Sequence, residues 1–224
     1  MLITGIKSKP VYAPLHADAR GRYHLMLGHG AGGVALLRVL GELEQVSPAA
    51  LGATRVLYLP QPMLGARAAG ANGAQTPESG AAEAIPDPAQ ALRALALGEL
   101  RLYTSVPELL AEFRGVLERS LMGTRLYVAG PESFIGLAMK IALEFNLNKD
   151  EIRAEELGSL ARRVYCIHCR TTAEEVRTNI VECAGCGRWL LVRDHYSRRL
   201  AAYMGVMADA EAPGELPPIK EVFA

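Results

Sequence analysis

Residues 125–140 read RLYVAGPESFIGLAMK, and the change of pattern within them indicates an α/β fold. Residues 125–128 read RLYV, an arginine followed by an apolar run, which is typical of a buried strand. Gly130-Pro131 then turns the chain directly into a helix predicted over 132–145. A strand that passes so abruptly into a helix is the repeating unit of folds in which helices cover a parallel sheet.

Outward from this unit, apolar strands and amphipathic helices alternate over residues 23–155. The cleanest helix is predicted after Ser105, which is expected to form a capping box with Glu108. A weaker helix is predicted over 89–97. Strands are predicted at 23–27, 55–59, 100–104, 125–128 and 151–155. We therefore predict a five-stranded parallel sheet with flanking helices.

A glycine-rich turn follows the first predicted strand and opens a helix. Its sequence, GHGAGG, makes five residues candidates for cofactor binding: Gly28, His29, Gly30, Gly32 and Gly33. Glycines at such a turn let backbone amides approach a phosphate, and the helix dipole favours the anion. The same residues are equally typical of a tight turn in which helix and sheet pack closely. The turn alone does not separate these two interpretations.

Two Cys-x-x-Cys pairs near the C-terminus hold all four cysteines of the chain, Cys166, Cys169, Cys183 and Cys186. Four thiolates in two pairs can close a tetrahedral site, and tetrahedral sulfur selects zinc or iron. Gly187 suits the turn of a zinc knuckle, and the loop between the pairs is shorter than rubredoxins use. We predict a small C-terminal zinc ribbon and keep iron as the alternative.

The composition excludes several functional classes. At 224 residues and 50% hydrophobic content, the chain can bury one ordinary domain and a small appendage. Its formal net charge of zero gives no reason to expect nucleic acid or an anionic membrane as partner. No run of about 18 apolar residues is present, and the N-terminal stretch lacks the pattern of a secretory signal. Paired thiols in an unexported chain favour metal over disulfides, so the protein is predicted to be cytoplasmic.

We predict four parts along the chain. Residues 1–21 form an N-terminal arm, 22–160 the α/β domain, 161–206 the four-cysteine ribbon and 207–224 a C-terminal tail. Within the α/β domain, 16 of the 28 residues from 61 to 88 are Ala, Gly or Pro, which predicts a mobile loop.

The order of motifs from 23 to 159 resembles the nucleotide domain of ferredoxin–NADP reductase-type flavoenzymes. In that family a strand ends in a Gly-Pro turn that starts a helix, as at Gly130-Pro131, and a last strand is followed by Gly-Ser, as at Gly158-Ser159. The resemblance implies that the glycines of the turn face a pyrophosphate. It further implies that Gly130, Pro131 and Glu132 lie beside a nicotinamide or a flavin interface.

The chain also departs from that family. Ala129 stands where a cysteine usually precedes the Gly-Pro, and Gly32-Gly33 replaces the usual Thr-Pro. Upstream of the first strand there is no room for the family's flavin barrel. The domain therefore either works with a flavin barrel on another chain or has kept the fold and lost nucleotide binding.

Nearly the whole chain resembles the small-subunit family of bacterial dimethylamine monooxygenases. The resemblance is carried by GPESFIGLAMK at 130–140, by the paired knuckles, and by CGRWLLVRDHYSRRLAAYMGV at 186–206. It implies a subunit of an NADPH- and O2-dependent monooxygenase that converts dimethylamine to methylamine and formaldehyde. FMN, a 2Fe–2S cluster and haem are expected on partner subunits, namely the flavin/iron–sulfur reductase and the haem oxygenase. This chain would supply the pyridine-nucleotide platform, an assembly clamp, or both, and we predict no catalytic residue on it.

Two other functions stay open at this point. One is a purely structural subunit with a vestigial nucleotide domain. The other is a nucleic-acid-binding zinc ribbon, since residues 160–206 hold eight arginines against four acidic residues. The arginines are dispersed and lack an aromatic platform, so a polar face at 193–199 is interpreted as a docking surface for another subunit. The sequence leaves NADPH versus NADH and the stoichiometry of the complex open.

Overall fold

The computed structural model describes residues 8–60 and 87–223, and its first sheet confirms the predicted α/β class. Every neighbouring pair of strands in this sheet is parallel, in the order β3-β2-β1-β4-β5. The strands match the five predicted ones with bounds that differ by one or two residues. They are β1 Tyr23–His29, β2 Thr54–Leu59, β3 Glu99–Leu102, β4 Thr124–Gly130 and β5 Ile152–Glu156.

Helices cover both faces of the first sheet, as predicted. One core lies between the sheet and α1 and α3, and the other lies between the sheet and α4 and α5. The weak helix predicted over 89–97 is shorter than expected, and α2 was not predicted because its four residues carry no periodicity. The helices are α1 Gly32–Val46, α2 Ala49–Gly52, α3 Pro88–Arg93, α4 Val106–Glu118 and α5 Glu132–Glu144.

The start of α4 differs in one detail from the predicted capping box. The Ser105 hydroxyl accepts a hydrogen bond from the Glu108 amide, as expected. The Glu108 carboxylate, however, accepts from the amide and hydroxyl of Thr104 instead of the Ser105 amide. The first turn of the helix is still capped, because both groups satisfy backbone donors that the helix cannot.

A second five-stranded sheet holds the cysteines and has the order β7-β6-β10-β9-β8. Strands β6 and β10 are parallel, and the other neighbours are antiparallel. Its core includes Val164, Val192 and Tyr203. From the sequence, the apolar run at 189–192 predicts a strand, which forms the first part of β9. The strands are β6 Arg162–Cys166, β7 Thr172–Val176, β8 Ile180–Glu182, β9 Trp189–Ser197 and β10 Ala202–Met207.

The arm that precedes β1 contacts both sheets. Its first described residue, Ser8, donates its amide to the Asp194 carbonyl on β9 at 2.9 Å. Further along, Leu15 is 1% exposed in the core beneath α1. The buried Asp18 carboxylate then accepts from Arg20 and Arg125. The arm is therefore a strap that joins the two sheets.

The segment after β10 folds back on the second sheet. Val222 donates its amide to the Arg177 carbonyl at 2.9 Å. The guanidinium of Arg162 lies between two rings, 4.0 Å from the centroid of Tyr203 and 3.9 Å from that of Phe223.

The loop predicted over 61–88 falls outside the described residues except for its last two positions. Within the described parts of the chain, no helix has the length and apolarity to cross a membrane.

Candidate functional site

The four cysteines converge at one end of the second sheet. Their sulfur atoms all lie within 4.8 Å of one another. Cys166 and Cys186 are 3.9 Å apart, and Cys169 and Cys183 are 3.5 Å apart. An ion with four metal–sulfur bonds of about 2.3 Å in tetrahedral geometry separates its sulfurs by about 3.8 Å. The cluster therefore fits a tetrahedral metal ion, as the sequence predicts.

The two knuckles have the same backbone geometry despite different sequences. In the first, Arg170 donates its amide to the Cys166 carbonyl at 3.0 Å, and in the second Gly187 donates to the Cys183 carbonyl at 2.8 Å. Both donors have a left-handed backbone, with φ of 69° and 68° respectively. Gly187 adopts this conformation without strain, whereas Arg170 is held in it by the closed turn. The lack of a glycine in the first knuckle thus changes its sequence but not its shape.

The thiols differ in their environment. Hydrogen bonds from Thr171 lower the pKa of Cys169 to about 6, whereas burial raises the pKa of Cys183 to about 11. A bound cation favours the thiolate form of every ligand and would override this difference. His168 and His195 are exposed, and the group of potential metal ligands in the described residues is formed by the four cysteines.

Replacing Gly185 with alanine is expected to lower the metal affinity of the cluster at least tenfold. A Cβ atom there would lie within 3.0 Å of the Thr171 side chain and 3.0 Å from the Cys169 sulfur, so the turn must shift. Competition with a chelator of known affinity measures the change. The control is Gly187→Asn, where a side chain meets open space and asparagine tolerates a positive φ. Equal affinities for Gly185→Ala and the unmodified chain would contradict this account.

The glycine turn lies at the carboxyl end of β1, where its glycines allow close packing. A Cβ on Gly28 would meet Leu36 at 2.8 Å and Tyr58 at 2.9 Å. One on Gly33 would lie 2.8 Å from the Tyr58 hydroxyl and would also meet Pro88. That hydroxyl donates to the Gly30 carbonyl at 2.7 Å. The Tyr58 ring and Pro88 thus occupy space beside the turn.

Part of the turn's hydrogen-bonding capacity is already used within the chain. Gly30 donates its amide to the Leu59 carbonyl at 2.9 Å, and Gly33 donates to the Gly30 carbonyl at 3.1 Å. The amide of Val34 donates to the Ala31 carbonyl at 3.1 Å. A phosphate at this helix start would therefore meet a turn whose donors are partly satisfied.

The second predicted motif lies next to the first. Gly32 packs against the backbone of Ala129 at the end of β4, and Gly130 packs against His29. The structure thus brings the two motifs together at the carboxyl edge of the first sheet, where α/β folds bind ligands. Burial lowers the pKa of His29, and its Nδ1 atom has no hydrogen-bond partner among the described residues.

The corner formed by Gly130, Pro131 and Glu132 is buried, with Glu132 4% exposed. Gly130 packs against His29 and Phe134 of the first domain, whereas the Tyr196 hydroxyl and Ala201 lie against Gly136 in the next turn of α5. Part of the same chain thus lies against the Glu132 end of this corner, and the predicted place of Gly130, Pro131 and Glu132 beside a nicotinamide stays a prediction.

Comparison with known proteins identifies the family. Residues 163–206 match the C-terminal domain described as dimethylamine monooxygenase subunit DmmA-like, and residues 4–82 and 78–152 match the N-terminal domain of that description. The chain belongs to the DmmA-like family. The heme-dependent oxidative N-demethylase delta subunit of Ectopseudomonas mendocina (strain ymp) is 34% identical over 124 residues, which cover 52% of this chain and 71% of that subunit. This DmmA-like protein is therefore related to a subunit of an oxidoreductase complex, as the sequence indicated.

Solved structures show more distant likenesses. The ferredoxin reductase of carbazole 1,9a-dioxygenase is 15% identical with a TM-score of 0.38, over 64% of this chain and 35% of that one. The FAD/NAD-binding domain of nitric oxide dioxygenase from Vibrio cholerae O1 biovar El Tor is 13% identical with a TM-score of 0.40, over 66% of this chain and 56% of that one. This chain thus spans about a third to about half of their lengths. Such scores carry no argument about activity, and the fold of this DmmA-like chain rests on its own strand order.

The residues that close the corner were missed by the sequence reasoning. In the segment 193–199, Tyr196 is buried against α5 and Asp194 pairs with Arg162 at 2.7 Å, whereas His195, Arg198 and Arg199 are exposed, so its role as a docking face stays a prediction. Tyr12 of the arm and Tyr203 of β10 also face Glu132. The sequence carries no alternation that marks Tyr196, because residues 189–192 are all apolar and residues 193–195 are all polar; its inward position follows from the strand that the structure shows.

Proposed function

We propose that this chain is an assembly subunit of a multi-subunit oxidative N-demethylase that acts on dimethylamine. In this role it holds partner subunits together and does not itself present a nicotinamide for hydride transfer. The observation that carries the proposal is the closed corner at Glu132. If this chain presented a nicotinamide, a partner's flavin would have to approach that corner, and the buried side chains there leave no open access for it. The packing of Tyr58 and Pro88 against the glycine turn supports the same conclusion.

The cofactors are divided between chains under this proposal. All four cysteines belong to the metal cluster, so a 2Fe–2S cluster would be held by a partner, as would FMN and haem. Cys166, Cys169, Cys183 and Cys186 would hold zinc as a structural ion, since a closed set of four thiolates leaves no open position for a substrate, and iron stays the alternative. Zinc in such a site would stabilise the fold of the second sheet. The cytoplasmic location stays a prediction.

Replacing Val34 with glutamate tests the proposal. Val34 lies in the first turn of α1 and is 41% exposed, so an acidic side chain fits there and stabilises the helix by about 0.3–1 kcal/mol. A carboxylate at this position repels a pyrophosphate bound at the helix start. In the assembled complex with its partner subunits, we expect NADPH-dependent demethylation to keep its KM for NADPH and its kcat.

The matched control is Val34→Gln, which has the same shape without the charge. A severalfold rise in the KM for NADPH with glutamate but not with glutamine would overturn the assembly proposal in favour of a nucleotide platform. Leaving the chain out of the reconstitution tests the assembly role directly. Loss of the complex on a sizing column is expected, and an intact complex with full turnover would contradict the role.

A further inference from the structure

Glu132 is an acidic side chain buried where the two sheets meet. It lies in the first turn of α5 and is 4% exposed. Neither of its carboxylate oxygens has a hydrogen-bond partner among the described residues, and the same holds for the Tyr196 hydroxyl. A buried ionised carboxylate without partners is strongly unfavourable, and such a group takes up a proton instead.

The groups around Glu132 come from every element packed against it. Tyr196 on β9 and Tyr12 in the arm face the carboxyl with their hydroxyls. Burial raises the pKa of Glu132 by more than these two hydroxyls lower it, because neither is placed for a well-formed hydrogen bond to a carboxylate oxygen. Tyr203 on β10 also approaches it, and Glu156 at the end of β5 adds a negative charge. None of these four groups can neutralise an ionised carboxylate.

Arg162 on β6 is the cation that faces Glu132, and it is engaged elsewhere. Its guanidinium pairs with the Asp194 carboxylate at 2.7 Å. Its two faces are covered by the rings of Tyr203 and Phe223. The charge of Arg162 therefore offsets only part of the cost of burying a charged Glu132.

We propose that Glu132 is protonated in the closed chain and acts as a pH-sensitive latch between α5 and the second sheet. Gly136 lets the two surfaces approach closely, since a Cβ there would lie within 3.0 Å of the Tyr196 hydroxyl and 3.1 Å from Ala201. When Glu132 loses its proton, its charge must reach water, and the second sheet must move away from α5 for that to happen.

The pH range follows from the shift of this group. Burial, and then the charge of Glu156, raise the pKa of Glu132 from 4.5 to about 7. The closed state therefore holds more protons than the open state between these values, so the closed state is favoured at low pH and weakens as the pH rises towards 7. Buried His24 and His29 act in the opposite direction, because burial lowers their pKa.

Hydrogen exchange of the full-length chain tests the latch. The amides of Trp189–Ser197 report the opening of the strand that covers Glu132. After correction for the intrinsic rate, their opening equilibrium is expected to increase up to tenfold per pH unit between pH 5 and 7. In Glu132→Gln, which keeps the shape and cannot ionise, this increase is expected to disappear and opening at pH 8 to fall at least tenfold.

The control is Glu118→Gln, which removes an exposed acid at the end of α4 and is expected to follow the unmodified chain. The comparison between variants also cancels the two histidines, which all of them share. Parallel pH profiles for Glu132→Gln and the unmodified chain would overturn the proposal. A second measurement uses the unmodified chain and so does not depend on a variant folding. Isotope-edited infrared spectra of that chain should show a protonated glutamic acid at pH 6, and fully ionised glutamates at that pH would likewise overturn the latch.

Discussion

Replacing Cys183 with serine is expected to abolish stoichiometric metal binding and to unfold the second sheet. Cys183 is 3% exposed and packs with Cys166 and Leu190 beside the cluster. A structural zinc site in a small domain contributes about 10–16 kcal/mol of apparent binding free energy. The core of a unit this small supplies only about 3–5 kcal/mol. Metal analysis per chain, together with thermal unfolding followed by circular dichroism, measures both effects.

His168→Ala is the matched control, because this residue lies between two ligands and is exposed. It should keep one metal per chain and an unchanged unfolding temperature. Chelation of the unmodified chain should reproduce the effect of Cys183→Ser. A Cys183→Ser chain that retains its metal and its unfolding temperature would contradict the role of the cluster. A visible spectrum of the purified chain separates the two candidate metals, since Zn²⁺ is colourless and a ferric four-thiolate site is not.

Replacing Gly32 with alanine is expected to destabilise the α/β domain by about 3 kcal/mol or more. An added Cβ would lie closer than 3.0 Å to the carbonyl carbon and oxygen of Ala129 on β4. These are backbone atoms of a central strand, so neither can move aside without breaking the sheet. Urea unfolding of the full chain measures the loss.

Gly41→Ala provides a control on the same helix. A Cβ at Gly41 meets nothing within 4 Å, and alanine is the better helix former by about 1 kcal/mol, so this variant should be slightly more stable. The pair also separates the two interpretations of the glycine turn. If Gly32 serves packing, its replacement lowers stability. An unchanged stability combined with a loss of NADPH binding would instead show that the glycine serves a phosphate.

The first sheet was largely predictable because its signals are local. Residues 126–128 and 56–59 are apolar runs, and each becomes part of an inner strand of the parallel sheet. The second sheet was mostly missed for an equally physical reason. Strand β7 reads TAEEV, with two exposed glutamates, and carries little of the alternation that marks a strand. Such short strands are stabilised by pairing with neighbouring strands and by the cysteine turns, so their own sequences need not show the alternation that would predict them.

The candidate site was predictable in its ligands but not in its surroundings. The spacing of four cysteines indicated a metal cluster, and the structure brings their sulfurs together. The glycine turn could not be interpreted in the same way, because the residues that fill its surroundings are distant in sequence. Tyr58 comes from β2 and Pro88 from the start of α3, and neither is marked by any motif.

The amino-acid sequence by itself determined the parallel sheet, its helices, the cysteine cluster and the family. The strands, the helices and each Cys-x-x-Cys pair depend on residues a few positions apart, whose spacing is set by the geometry of a strand, a helix or a knuckle, and the family depends on motifs spread along the chain. Only the tertiary structure decided that the arm straps the two sheets together and that Tyr196 covers Glu132. These contacts join residues far apart in the chain. They are stabilised by burial and by charge interactions that form only once both sheets have folded against each other.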